Sequence, residues 1–219
     1  FNINNLIFSS SCTIYGKNNK SPYNEKMGYS PINPYGNTKM LIEKLIDDFC
    51  IANKNFKAVS LRYFNPVASN VKKGFSEQPL GKYMNLMPLI TNSAYNKKKL
   101  IVFGNDYATR DGSCIRDYIH VTDVANAHLK ALKKIKNLKG HTKINIGLGK
   151  GISVLNLIKI FEETNVVKVP YKIGPRRLGD VECAYADNRR AMSILDWEPK
   201  KSYKQMCQDA WNSFLLNNA

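Results

Sequence analysis

Apolar positions along this chain fall into two rhythms. Asn5-Leu-Ile-Phe-Ser9 and the stretch Ala58 to Tyr63 are short apolar runs closed by polar turns, which predicts buried strands. Leu100 to Phe103, Ile144-Asn-Ile146 and Val169 to Ile173 read the same way. Between them the spacing is helical. A helix from Asn37 to about Ile51 aligns Leu41, Leu45 and Phe49 on one stripe, with Ile42 and Ile46 beside it. Others are expected over Asn85 to Asn96, after a Thr122 cap to about Leu138, and after a Ser153 cap through Glu163. In the Thr122 helix, Ala125, Leu129, Leu132 and Ile135 are expected to face inward, with Gly140 as the stop. A short helix after Asp187 and a last one from Ser202, with Gln205 at capping-box spacing, complete the pattern.

Strands alternating with helices predict a parallel α/β sheet, and in such sheets ligands bind beyond the carboxyl ends of the strands. Ser11 and Asn65 each follow a strand, so both are expected on one rim.

Composition narrows the class. The 219 residues are 43% hydrophobic, enough for one large or two small folded units. No run of 18 apolar residues occurs, so no membrane span is expected. Five scattered cysteines without C-x-x-C spacing suit a reducing, cytoplasmic setting, and three isolated histidines form no metal pattern. The net charge of +16 raises nucleic acid as a partner. The lysines are spread along the chain rather than interleaved with aromatics, so nucleic-acid binding is not expected. The charge would still attract anionic substrates. Phe1 stands where a methionine would open a chain, and an N-terminally truncated sequence is the expectation.

The candidate chemistry lies in Tyr35-Gly-Asn-Thr-Lys39, with Ser9-Ser-Ser11 ahead of it. A tyrosine and a lysine four apart share one helix face. Tyrosine ordinarily ionises near pH 10, and an ammonium close by favours the phenolate, which makes a usable proton acceptor. Tyr95 and Lys99 repeat the spacing inside a lysine run and read as solvated surface.

Further motifs follow in order: Phe8-Ser-Ser-Ser-Cys-Thr-Ile-Tyr-Gly16, Leu61-Arg-Tyr-Phe-Asn-Pro66, Phe103-Gly-Asn-Asp-Tyr107, Asp111-Gly112, Arg116-Asp-Tyr-Ile-His120, Pro175-Arg-Arg177 and Gly179-Asp180. Together they resemble the UDP-glucose 4-epimerases, a group of extended short-chain dehydrogenases/reductases, over nearly the whole chain. The resemblance implies a doubly wound parallel, Rossmann-type sheet lacking its N-terminal half, with a smaller α/β substrate domain. It assigns residues 1–66 to the cofactor domain and 67–219 mainly to the substrate domain, with segments near 98–121 and 144–171 packing back on the first.

It further implies interconversion of UDP-galactose and UDP-glucose through a 4-keto sugar, with NAD kept bound. Tyr35 would be the base at the sugar 4-hydroxyl, Lys39 would bind the nicotinamide ribose, and Ser11 would relay the proton, all three beside the cofactor. Phe64 would lie by the nicotinamide. Asn65, Asn85 and Leu86 would line the diphosphate and sugar, and Ile101, Val102 and Phe103 the uracil. Arg116 and Arg177 would grip the diphosphate, and Asp180 the uridine ribose. Ala184 stands where the family carries either tyrosine or a small residue beside the sugar C2 group, so UDP-N-acetylhexosamines are expected to fit. A homodimer through the helix after Tyr35 is also implied.

Departures from the family pattern are visible. Met84 replaces a polar residue, and Arg110 and Leu178 stand where glutamate is usual. No Gly-x-x-Gly-x-x-Gly loop occurs; Gly147-Leu-Gly149-Lys-Gly151 has another spacing and reads as a structural turn. The 219 residues alone are therefore expected to bind NAD poorly and to be inactive. A related dehydratase or decarboxylase is the nearest alternative. Dehydratases place an acidic pair after the position of Ser11, where this chain has Cys12-Thr13. A non-catalytic nucleic-acid module on the same fold is the more distant one.

Overall fold

The computed structural model describes residues 3–70, 77, 81 and 83–218. Strand β1 (Asn5–Ser11) leads through a 3-10 turn at Cys12–Ile14 and a long loop into helix α1 (Pro34–Ala52). Strands β2 (Lys57–Tyr63) and β3 (Asn65–Val67), helix α2 (Leu86–Asn96) and strands β4 (Leu100–Phe103), β5 (Ile115–Arg116) and β6 (Tyr118–His120) follow. Next come α3 (Val121–Lys134), β7 (His141–Ile146), β8 (Ile152–Ser153), α4 (Val154–Asn165), β9 (Tyr171–Gly174), β10 (Cys183–Ala184), α5 (Arg189–Leu195) and α6 (Tyr203–Asn218).

The principal sheet is parallel, in the order β1-β2-β7. Its middle strand is buried on both faces, as helices above and below a parallel sheet require. Val59 and Leu61 pack with Val124, Ala127 and Ala131 of α3, while Ala58 meets Ile46 and Cys50 of α1. The same α1-facing parity carries Arg62, which is 1% exposed and lies 2.6 Å from Glu43 on α1. Ser10 donates to Glu43 at 2.6 Å, so the buried carboxylate is fully engaged.

The two outer strands differ at their margins. On β7, Glu25 accepts the Asn145 N–H at 2.7 Å and Arg190 donates to the Lys143 carbonyl at 3.0 Å. On β1 the ammonium of Lys39 donates to the Ser9 carbonyl at 2.9 Å, and no further strand pairs there among the described residues.

A second core joins α2, β4, α4 and α6 around Ile90, Val102, Leu157, Phe161 and Met206. Here β4 pairs with β9 and β5 with β10 in parallel, and β5 with β8 antiparallel. Strand β3 pairs with β6, which follows directly on β5.

Several expectations need correction. Helix α1 begins at Pro34 rather than Asn37, because Asn33 caps it by accepting the Gly36 N–H at 2.7 Å and proline suits the first turn. Its Leu41, Leu45 and Phe49 are exposed; Gly36, Glu43, Ile46 and Cys50 are buried instead. In α3 the cap is His120, whose Nδ1 accepts the Thr122 N–H at 3.0 Å, and Leu129 and Leu132 face outward while Val124, Ala127 and Ala131 face in. Ser153 does cap α4, accepting from Asn156, and Ser202 and Gln205 close a reciprocal capping box.

Candidate active site

The carboxyl ends of β1 and β2 bring Ser11 and Tyr63 into register, and Asn65 follows two residues later on β3. Starting α1 at Pro34 sets Tyr35 and Lys39 one turn apart on a continuous helix. The Lys39 ammonium lies 5.5 Å from the centre of the Tyr35 ring and 5.0 Å from that of Phe8. Tyr35 is 56% exposed, so its hydroxyl is open to an incoming molecule.

Ser11 is buried at the strand end, where its Oγ accepts the Thr13 N–H at 3.3 Å and lies 3.0 Å from the Thr13 hydroxyl. No hydrogen bond joins Ser11 to Tyr35 among the described residues. Tyr63, in register with Ser11, has its hydroxyl 2.8 Å from Ser9 Oγ and 2.6 Å from His128 Nε2. Burial pushes the Tyr63 phenol up, Ser9 pulls it down, and Tyr35 adds to the rise from across the rim. Phe64 is 4% exposed and packs beside Tyr23 and Tyr15.

The second constellation is ionic. Asp180 accepts from Arg177 Nη2 at 2.9 Å and lies 3.4 Å from Arg116 Nη2. Arg116 also donates through Nη1 to the carbonyls of Ile115 and Val181, both at 2.8 Å, which fixes the guanidinium. Burial works against that charge, but Cys114 and Asp180 outweigh it. Arg177 is half exposed and lies 5.7 Å over the Phe103 ring, which ties β4 to the cluster. Ala184 is buried and sits beside Arg116 in the β5–β10 register. Ile101 is exposed at 40% and Val102 is buried beneath it. A methyl group at Gly174 would come within 2.6 Å of Ile101 Cγ2, so this glycine leaves the outer face of β4 clear.

Thus Arg116, Asp180, Arg177, Phe103 and Ala184 converge, and Ser11, Tyr35 and Lys39 share the rim of the principal sheet. Asn65 sits on that rim with its N–H bonded to the Asp117 carbonyl at 2.9 Å. Asn85 opens α2 and donates to Glu77 at 2.8 Å, while Leu86 packs on the second core. An open cleft of about 940 Å³, rimmed by Lys54, Lys57, Lys136 and Lys139, lies at the opposite end of the strands, below Asp47 and His141.

Asp117 received no role from the sequence. It is fully buried, and its two oxygens accept the N–H groups of Leu148, Gly149 and Ala186 at 2.7 to 3.1 Å. Burial raises its carboxyl to about 7 against those three bonds. The glycine-rich loop after β7 therefore cradles an internal carboxylate, and a Cβ at Gly147 would meet Asp117 Oδ2 at 2.6 Å. An acid set between Ile115-Arg116 and Tyr118-Ile119 was the available signal.

Comparison with known proteins matches residues 1–147 to the NAD dependent epimerase/dehydratase family. The chain is 41% identical over 212 residues to UDP-glucose 4-epimerase of Bacillus subtilis, which covers 96% of this chain and 62% of the relative. It superposes with a TM-score of 0.95 on UDP-glucose-4-epimerase from Stenotrophomonas maltophila with bound NAD and formylated UDP-arabinopyranose, at 39% identity, covering 99% of this chain and 65% of that one. The enzyme from Bifidobacterium longum in complex with NAD+ and UDP gives 0.93 at 37% identity, with the same coverage. This chain thus spans a little under two thirds of the proteins it matches.

Proposed function

The chain belongs to the NAD dependent epimerase/dehydratase family, and from that premise we propose that it carries the acid–base residues and the nucleotide-sugar half of a UDP-glucose 4-epimerase. The observation that carries this reading is the Arg116–Asp180–Arg177 cluster placed one strand from Ala184. Two guanidinium groups sharing one carboxylate retain N–H donors for a diphosphate, and Asp180 can accept from a ribose hydroxyl.

Tyr35, open at the rim, accepts the proton of the sugar 4-hydroxyl, with the Lys39 ammonium 5.5 Å from the centre of its ring. Ser11 holds the same hydroxyl from the strand end. The arginine pair anchors the nucleotide while the sugar turns, so either face of C4 can be presented. The residue types fit the nicotinamide–ribose end of NAD: Lys39 offers an ammonium, Tyr35 a phenol and Ser11 a hydroxyl. NAD, when bound there, supplies the acceptor and donor of hydride. The glycine-rich loop after β7 gives its Leu148 and Gly149 N–H groups to Asp117 and so does not offer them to a pyrophosphate.

Residues 1–66 form the cofactor-side unit in this proposal, and 67–219 mainly the substrate side, with 98–121 and 144–171 packing back. The pairings of β7 with β2 and of β6 with β3 support that division. The exposed Leu41, Leu45 and Phe49 stripe supports a homodimer through α1. The small side chain of Ala184, beside Arg116 in the β5–β10 register, supports acceptance of an N-acetyl group at sugar C2. Five free cysteines suit a reducing, cytoplasmic compartment. Cys12 and Thr13 stand where a dehydratase carries its acidic pair, and burial raises the Cys12 thiol to about 12. No helix among the described residues is long and apolar enough to cross a membrane.

The test is paired. The 219 residues alone bind UDP without turning over UDP-galactose. Joined behind the cofactor-binding part of a relative they turn it over, and there Tyr35→Phe lowers kcat by about 10²- to 10⁴-fold with UDP affinity unchanged. Full activity in the Tyr35→Phe protein would sink the reading.

A further inference from the structure

A hydrogen-bonded chain with a fixed direction runs along the rim of the principal sheet. His128 reaches from α3 to the end of β2, and its Nδ1 stands 2.9 Å from the Val124 carbonyl. A carbonyl only accepts, so in the neutral imidazole Nδ1 carries the proton and Nε2 is a bare acceptor. The Tyr63 hydroxyl, 2.6 Å from that Nε2, gives it its one proton. The Tyr63 oxygen is then left to accept from the Ser9 hydroxyl, 2.8 Å away. The chain therefore points from Ser9 through Tyr63 to His128, whose ring centre lies 5.6 Å from that of Tyr63.

Ser9 is held a second time, by the other helical layer. The Lys57 N–H bonds the Asn4 carbonyl at 2.9 Å, and successive carbonyls of a strand alternate between its two edges, so the Ser9 carbonyl turns away from β2. There it accepts from Lys39 Nζ at 2.9 Å. One N–H of the ammonium is engaged by that carbonyl, and two remain for a ligand. Ser9 is thus fixed by α3 through its side chain and by α1 through its backbone. Two residues later β1 ends in Ser11, in register with Tyr63.

We propose that Tyr63 and His128 are positioning residues for the proton transfer: acting through Ser9, they hold the end of β1 so that the Ser11 hydroxyl and the Lys39 ammonium keep their places relative to Tyr35. The proposal rests on the epimerase reading above. Neither residue belongs to the nucleotide cluster of Arg116, Asp180 and Arg177, so their loss acts on kcat and leaves nucleotide binding alone.

Steady-state kinetics of the 219 residues joined behind the cofactor-binding part of a relative test it. Tyr63→Phe keeps the ring and cuts the link to Ser9. His128→Leu removes the acceptor, and His128→Gln supplies an amide oxygen in the place of Nε2. Tyr63→Phe and His128→Leu are expected to lower kcat for UDP-galactose about 10- to 100-fold, with KM and UDP affinity changed less than about twofold. His128→Gln is expected to stay within about threefold of wild type. Unchanged kcat in Tyr63→Phe overturns the inference and leaves the epimerase reading standing. A parallel loss of kcat, UDP affinity and melting temperature overturns it too, since the chain is then a structural tie alone. The same holds if His128→Gln is as slow as His128→Leu. Nitrogen NMR of the wild-type 219-residue chain in mildly alkaline buffer reads the direction without any variant: a proton on Nδ1 is expected, and a proton on Nε2 overturns the inference. A joined wild-type protein that binds UDP yet leaves UDP-galactose unchanged removes the epimerase reading and this inference together.

Discussion

Arg116 and Asp180 are joined at 3.4 Å across the β5–β10 edge, and the same Asp180 oxygen receives Arg177 at 2.9 Å. One carboxylate thus balances two guanidinium groups and leaves a net positive charge where a diphosphate would lie. Arg177→Met, at an exposed position, is expected to weaken UDP binding roughly 10- to 100-fold without moving the melting temperature. Arg116→Met is expected to lose at least as much and to melt lower, because Arg116 also bonds two backbone carbonyls. Titration calorimetry checks both; unchanged affinity in either would remove that arginine from the site.

Ala184 predicts substrate choice. In an active preparation, Ala184→Tyr fills a position that is 6% exposed beside Arg116. Turnover of N-acetylated UDP-hexosamines should fall by more than about tenfold, with UDP-galactose affected by only about two- to threefold. Equal losses on both substrates would mean that the side chain shifts the cluster rather than shaping the sugar pocket.

Asp117 predicts a dependence of stability on pH. Its carboxyl is raised by burial to about 7, above the 3.8 of the free group, so the folded state binds this proton more tightly. The stability it contributes is therefore present at acid pH, falls as pH rises through about 4 to 7, and is level beyond. Asp117→Asn deletes the titration. In urea unfolding the advantage of wild type over variant should be about 2–3 kcal/mol larger at pH 5 than at pH 8. Parallel curves would mean that the three amide N–H groups hold the ion at ordinary acidity.

The outward stripe of α1 predicts association. Leu45→Lys, at 66% exposure, should convert a dimer to a monomer in sedimentation equilibrium with little change in the stability of the single chain. A wild-type chain that stays monomeric at tens of micromolar would remove the dimer proposal.

The order of strands and helices, the Ser153 cap and the Ser202–Gln205 box could all be read from the sequence, because each depends on residues close together along the chain. The inward faces of α1 and α3 could not. Glu43 is buried because it meets Arg62, 19 residues on, together with Ser10 and Tyr29, while Leu41 and Leu45 are left outside. Hydrophobic spacing assigns a carboxylate to solvent, and only the partner from β2 reverses that. His120 displaced Thr122 as a cap because an imidazole nitrogen can accept the same N–H. For the site, motif order marked Arg116, Arg177 and Asp180, although Arg116 and Asp180 meet from opposite sides of a 64-residue separation. It left Asp117 without a role, since burial is a property of packing.

The bare margin of β1 has a practical consequence. Where Glu25 and Arg190 close the far side of the sheet, β1 offers its backbone to any extended segment that comes alongside, including one from another copy. Mutual repulsion at +16 keeps copies apart in dilute buffer. At about 1 M salt that repulsion reaches only about 3 Å. Concentrated stocks of this polypeptide should then turn cloudy in brine and stay clear in low-salt solution.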